Sequence, residues 1–131
     1  NGGSATLAAM AVGAPGIKDP TPTNGFRVAL AFYPACRLQG AFDERGYRAY
    51  APVHVFHGTA DEETSAKRCA ALVARSRTLG GDIAITLYPG AVHGFDDPSR
   101  NRQSNAANAS AKADAMAQAQ RLFAEQLTPR P

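Results

Sequence analysis

A chain of 131 residues has room for one domain, and 44% hydrophobic with 19% charged residues is ordinary globular material, although so much of the apolar share is alanine that the core must be thin. The net charge of +3 is scattered, with Arg100 and Arg102 the only close pair inside a plainly polar loop, which argues against nucleic acid as a partner. No apolar run approaches the roughly 20 residues of a membrane span, and no secretory signal opens the chain, which begins Asn1-Gly2-Gly3-Ser4 without an initiator methionine. That opening reads as a processed precursor or a piece of something longer, and it leaves the compartment open between export and cytoplasm.

In chain order, residues 4–12 form a small-residue segment expected to be a helix that lies close to a sheet, ended by Gly13-Ala14-Pro15-Gly16. After a loop dense in Pro, Thr, Asn and Gly, the run 26–33 is short, apolar and bounded by Pro34, the pattern of a strand buried on both faces. Residues 37–51 show no period and read as loop with at most one helical turn. The run 53–57, between Pro52 and Gly58, is the next strand. Thr64 or Ser65 then caps a helix with Cys69, Leu72, Val73, Ser76 and Leu79 on one face, stopped by Gly80-Gly81. Residues 83–88 are rich in β-branched and aromatic side chains and form a third strand ended by Pro89-Gly90. A mobile polar loop is expected from Asp97 to about Ser110, followed by a closing helix over 111–127 with Met116, Phe123 and Leu127 at helical spacing.

Helices alternating with doubly buried strands argue an α/β fold with a parallel sheet. Three strands alone leave two unpaired edges and little core, so the chain reads as part of a larger domain, with self-association through exposed sheet edges expected of it in isolation.

Chemistry points to the loops beyond the strands, because ligands and catalytic groups of open α/β sheets collect at the carboxyl edge. His93 stands on a glycine-flanked loop after the third strand, and Asp61 stands just past the second, in His57-Gly58-Thr59-Ala60-Asp61. A carboxylate and an imidazole at neighbouring strand ends can meet, the acid then fixing the imidazole tautomer. The plainer alternatives are an acid that only caps the next helix, with Glu62 and Glu63 beside it, and a loop histidine bonded to a carbonyl. Asn1-Gly2-Gly3 before a small-residue helix looks like the back half of a G-x-S-x-G nucleophile elbow. The nucleophile would then precede Asn1, Gly2 would be the second elbow glycine, and the Asn1 N–H would be an oxyanion-hole donor. Nucleophile, then Asp, then His is the chain order of α/β-hydrolases.

Ala31-Phe32-Tyr33-Pro34-Ala35-Cys36, His57-Gly58-Thr59-Ala60-Asp61 and Tyr88-Pro89-Gly90-Ala91-Val92-His93-Gly94-Phe95-Asp96 together resemble the dienelactone hydrolase family, the last stretch being similar to its catalytic-histidine loop. The resemblance implies that residues 1–131 are the C-terminal portion of a single α/β-hydrolase domain, parallel strands flanked by helices, with the N-terminal strands and a Ser or Cys nucleophile outside the chain. It implies Asp61 as triad acid and His93 as general base, in hydrolysis of a small-molecule ester or lactone through an acyl-enzyme, with no cofactor. A non-catalytic fragment or binding module that keeps the fold's C-terminal layer is the alternative.

Other residues carry less. His54 and His57 face opposite sides of a strand, and His57 reads as a packed strand-end residue. His93 and Asp61 lack a third metal ligand at a recognisable spacing. Cys36 has no elbow glycines around it. Cys36 and Cys69 both fall near the carboxyl edge, as a disulfide or as two buried free thiols. Asn108-Ala109-Ser110 fits the glycosylation sequon, a triplet that also arises by chance.

Overall fold

The three apolar runs pair side by side as parallel strands β1 (Ala29–Phe32), β2 (Val53–Gly58) and β3 (Ile83–Tyr88), in the order β1-β2-β3. The computed structural model describes residues 2–13, 18–21, 23–37 and 46–129. Helices α1 (Gly2–Met10), α2 (Ala66–Thr78), α3 (Arg100–Gln103) and α4 (Ala106–Leu127) complete it. Among the described residues the class is α/β with parallel strands flanked by helices, and no helix is long and apolar enough to cross a membrane. Part of the loop expected over 37–51 lies outside the described residues.

Alternation along each strand divides the core between the two faces of the sheet. Register aligns Ala29 with Val53 and Ile83, and Ala31 with Val55 and Ile85. This row packs against Leu7 and Met10 of α1 and Cys69 and Val73 of α2. The opposite row, with Leu30, Phe32, Phe56 and Tyr88, packs against Phe95 and against Ala111 and Ala115 of α4. Phe56 and Phe95 are fully buried, each worth about 1.5–3 kcal/mol of apolar transfer.

β1 is shorter than the run that announces it. Phe26 is 59% exposed and its N–H donates to the Tyr50 hydroxyl at 3.0 Å, so the segment before Ala29 leaves the sheet for a side-chain partner. In α2, Ser65 is the N-cap, its hydroxyl accepting from Arg68 N–H, and Cys69, Val73 and Ser76 are buried as the spacing requires. Leu79 falls past the helix end and is exposed.

Two expectations for the last third are corrected. The segment 97–110 is not a continuous loop: Ser99 caps α3, and Asn105 caps α4, its Oδ1 accepting from Ala107 and Asn108 N–H. Ser99 and Asn105 there supply helix caps. α4 also docks through a different stripe from the one formed by Met116, Phe123 and Leu127, which are all exposed. Asn108, Ala111 and Ala115 are buried instead, because the facing sheet already carries the bulk of Phe56 and Tyr88 and leaves room only for small side chains. Burial of Asn108, with its amide hydrogen-bonded at both ends to Arg102 O and Val92 N, keeps the sequon out of reach of a glycan in the folded chain.

Cys36 and Cys69 are joined by a disulfide, Cα–Cα 5.2 Å, that ties the segment leaving β1 to the first turns of α2. With the cysteines 33 positions apart in sequence, closing the loop constrains the unfolded chain by about 4 kcal/mol in the chain-entropy account. Replacing both cysteines with serine is expected to lower the denaturant midpoint by a corresponding amount, and equal midpoints for the two proteins would show that the bond contributes nothing.

Candidate active site

In-register pairing brings Gly58 of β2 beside Tyr88 of β3, so the two strands end level and their exit loops run together. Thr59 N donates to Tyr88 O at 3.0 Å, Ala60 N to Ala91 O at 3.0 Å, and Gly90 N to the Thr59 hydroxyl at 2.9 Å. The approach demands glycine at position 58, where a Cβ would stand 2.1 Å from the Ala91 carbonyl oxygen. On the β3 side, Gly90 (φ +77°) and Gly94 (φ +69°) take the left-handed turns that place His93 between them.

Asp61 and His93 meet across these loops. His93 Nδ1 lies 2.8 Å from Asp61 Oδ2, with the Asp61 side chain shielded from solvent and the imidazole about one-fifth exposed. Asp61 Oδ1 accepts from Glu63 N–H and Thr64 N–H, each at 2.8 Å, and Oδ2 also accepts from the Thr64 hydroxyl at 2.9 Å. Burial is the largest single influence and pushes this carboxyl up, but the bonds from Thr64, His93 and Glu63 together outweigh it and hold the acid below its ordinary value. An ionised acid is an acceptor only, so His93 presents Nδ1–H to it and leaves Nε2 free of that bond. Nε2 faces Glu63 Oε2 at 3.5 Å, a carboxylate on a side chain two-thirds exposed.

Several residues to which the sequence assigned no part in the site surround the pair. Tyr33, the first residue past β1, has φ +37°, and its ring packs on the His93 imidazole with centroids 4.4 Å apart. Its hydroxyl donates to Asp96 Oδ1 at 3.0 Å, and burial first, then the Asp96 charge and hydrogen bond, push the phenol up to about 12. Asn108 Oδ1 accepts from Val92 N–H at 3.0 Å, and Gln103 Nε2 donates to Phe95 O at 2.9 Å, so α3 and α4 fasten the histidine loop on both sides. His57 is fully buried beneath Asp61, with Nδ1 3.9 Å from Asp61 Oδ2 and Nε2 3.1 Å from the Thr64 hydroxyl. The positive φ of Tyr33 and the partners of these polar groups are tertiary facts with no periodic trace in sequence.

The amino end of α1 lies at the same edge. Ser4 Oγ accepts from Ala35 N–H at 3.0 Å, and a Cβ on Gly3 would stand 2.2 Å from the Phe32 carbonyl oxygen. Gly2, the residue singled out as elbow glycine, has open space at its Cβ position, and Asn1 lies outside the described residues.

Parallel strands, flanking helices and an acid–imidazole pair at the carboxyl edge define an α/β-hydrolase fold, and the solved structures it resembles have it. With the esterase from Thermogutta terrifontis bound to propionate, the TM-score is 0.64 at 18% identity, over 98% of this chain and 55% of that one. The same organism's esterase 2 phosphorylated by paraoxon gives 0.63 at 20% identity over 98% and 52%, and a candidate dienelactone hydrolase from Klebsiella pneumoniae gives 0.55 at 18% over 79% and 42%. The chain therefore spans about half the length of these structures. Among curated proteins none is significantly similar. The pattern of the dienelactone hydrolase family matches residues 20–127, and the chain belongs to that family.

The depressed Asp61 acid makes a signed prediction. Its bonds contribute stability that is fully present above the unfolded carboxylate value, about 3.9, and is lost as pH falls through the lower folded value. Melting midpoints followed from neutral pH into acid should fall in the wild type, and more shallowly in Asp61→Asn. Identical slopes would mean that Asp61 is not held in its ionised form by the fold.

Proposed function

We propose that the protein is an ester or lactone hydrolase working through an acyl-enzyme, with Asp61 as the triad acid, His93 as the general base and a Ser or Cys immediately before Asn1 as the nucleophile. On this reading residues 1–131 are the C-terminal portion of one α/β-hydrolase domain. The observation that carries it is the 2.8 Å bond between a shielded carboxylate and an imidazole whose other nitrogen points away from that acid. Family membership and an amino end of α1 that touches the Phe32–Ala35 segment support it further.

The steps follow from these groups. His93 Nε2 takes the proton of the nucleophile as it attacks the ester or lactone carbonyl, and Asp61 fixes the tautomer and stabilises the imidazolium. The tetrahedral oxyanion is received by backbone N–H groups, that of Asn1 among them. His93 then protonates the departing alkoxide, leaving an acyl-enzyme, and next removes a proton from the water that hydrolyses it. Glu63, which faces Nε2 here, sits on a side chain exposed enough to turn aside when substrate arrives.

In the complete polypeptide, Asp61→Asn should lower kcat about 10⁴-fold and His93→Ala on the order of 10⁶-fold. The paraoxon adduct of the Thermogutta esterase suggests the direct probe. Paraoxon should inactivate this protein with one phosphoryl adduct on the residue before Asn1, and a retained adduct after that residue is replaced by alanine would sink the assignment.

We further infer that residues 1–131 on their own self-associate through their sheet edges. β1 and β3 each have one unpaired side among the described residues, and Phe26 and Phe123 leave apolar surface beside β1. Sedimentation of the isolated chain should reveal species larger than a monomer, whereas a single monomeric boundary across concentrations would refute the inference.

A further inference from the structure

Acyl transfer by Asp61 and His93 leaves unused a second imidazole directly beneath the acid. His57 ends its side chain in the core, fully buried, with Nε2 3.1 Å from the Thr64 hydroxyl and 3.2 Å from Pro34 O, and with Nδ1 3.1 Å from Gly58 O. We propose that His57 and Thr64 are positioning residues, joined in one donor chain from His57 Nε2–H to the Thr64 hydroxyl and from that hydroxyl to Asp61 Oδ2, which fixes the oxygen that receives His93. The inference rests on the reading of Asp61 and His93 as acid and base.

The direction of the chain follows from counting hydrogens. Thr64 has one hydroxyl hydrogen and two candidate acceptors that can only accept, Asp61 Oδ2 at 2.9 Å and Tyr33 O at 3.3 Å. The shorter contact goes to a charged oxygen, and charge-assisted bonds are the stronger, so the hydrogen belongs to Asp61. The hydroxyl lone pairs then need a donor. His93 Nδ1 is 3.5 Å away and already committed to Asp61 at 2.8 Å, which leaves His57 Nε2–H. Pro34 O shares that same hydrogen, and a second carbonyl that can only accept, Gly58 O, faces Nδ1 at 3.1 Å, so the buried imidazole is held at a fixed angle between two carbonyls and the threonine.

What this does to Asp61 is geometric. Two backbone N–H groups occupy Oδ1, and Thr64 with His93 occupy Oδ2, so four donors fill the acceptor sites of one carboxylate. With the hydroxyl removed, Oδ2 keeps only the bond to His93, and its resistance to rotating away from the imidazole rests on the two N–H groups at Oδ1 alone. The effect is expected in kcat, because orientation of the base matters in the transition state, and not in substrate binding. The proline carbonyl that meets His57 belongs to the segment bridged to α2 by the disulfide, so that bond braces the His57 end of the relay.

The test uses the complete polypeptide with ¹⁵N-labelled histidine. In the wild type His57 should give an Nε2-bound proton that exchanges slowly with water. Thr64→Val should lower kcat about 10- to 100-fold with KM within about twofold of wild type, and Thr64→Ser should restore kcat to within about threefold. The His93 Nδ1–H resonance should shift or broaden in Thr64→Val and return in Thr64→Ser. Absence of the Nε2 proton on His57 overturns the proposal, as does an unchanged kcat in Thr64→Val. A loss shared equally by Thr64→Ser, with lowered melting midpoints, is a packing effect and overturns it too. If Asp61→Asn retains wild-type kcat, the triad reading falls and this inference falls with it, whereas a large loss in Asp61→Asn beside an inert Thr64→Val removes the inference alone.

Discussion

Level ends of parallel strands are the constraint on which the site depends. A parallel ladder in register from Val53 with Ile83 to Gly58 with Tyr88 delivers both chains to the same height, and the loops that leave them cannot diverge, because backbone bonds from Thr59 and Ala60 continue the pairing beyond the strands. Asp61 and His93 lie just past that seam. A side chain at position 58 would push Ala91 away and separate the two loops, so an apparently passive glycine sets the distance between the acid and the imidazole.

Around the seam, aromatic side chains of the sheet and of the histidine loop meet small and polar side chains of α4. α4 approaches the sheet on Ala111 and Ala115, and its polar residues do the fastening: Asn108 to Val92, and Asp114 to the Tyr88 hydroxyl at 2.8 Å. α3 contributes Gln103 to the carbonyls of Phe95 and Asp97. Such bonds are modest singly, about 0.5–1.5 kcal/mol each. Their value is that they grip the end of β3 at Tyr88 and the backbone of the loop after it at Val92, Phe95 and Asp97, so the loop is held at several points and not by burial alone.

The β1 side is tied differently. Past Phe32 the chain turns through Tyr33 and Cys36, both with positive φ, and is anchored there by Ser4, by the disulfide to α2 and by the Tyr33–Asp96 bond. Non-glycine residues seldom take that conformation unless their surroundings hold them in it. Here the surroundings include the imidazole itself, packed at a tilt against the Tyr33 ring. The segment thus joins the amino end of α1, the acid loop and the histidine loop at one edge of the sheet.

The sequence by itself determined the α/β class, the three strands and the α2 face with Cys69, Val73 and Ser76, and it marked Asp61 and His93 as groups at neighbouring strand ends that could meet. These were legible because each depends on local signals: apolar runs bounded by Pro and Gly, helical spacing, and polar residues just beyond strand ends. The family motifs strengthened that reading, since they coincide with the same strand ends. Only the tertiary structure decided that α3 and the start of α4 replace a loop, and that α4 buries alanines while Met116 and Phe123 face outward. It also decided that His57, Thr64 and Tyr33 surround the pair. The reason is physical. Period and punctuation record how a segment meets an average apolar surface, whereas these outcomes turn on the size and hydrogen-bonding groups of particular partners, brought close by a parallel sheet from residues dozens of positions apart.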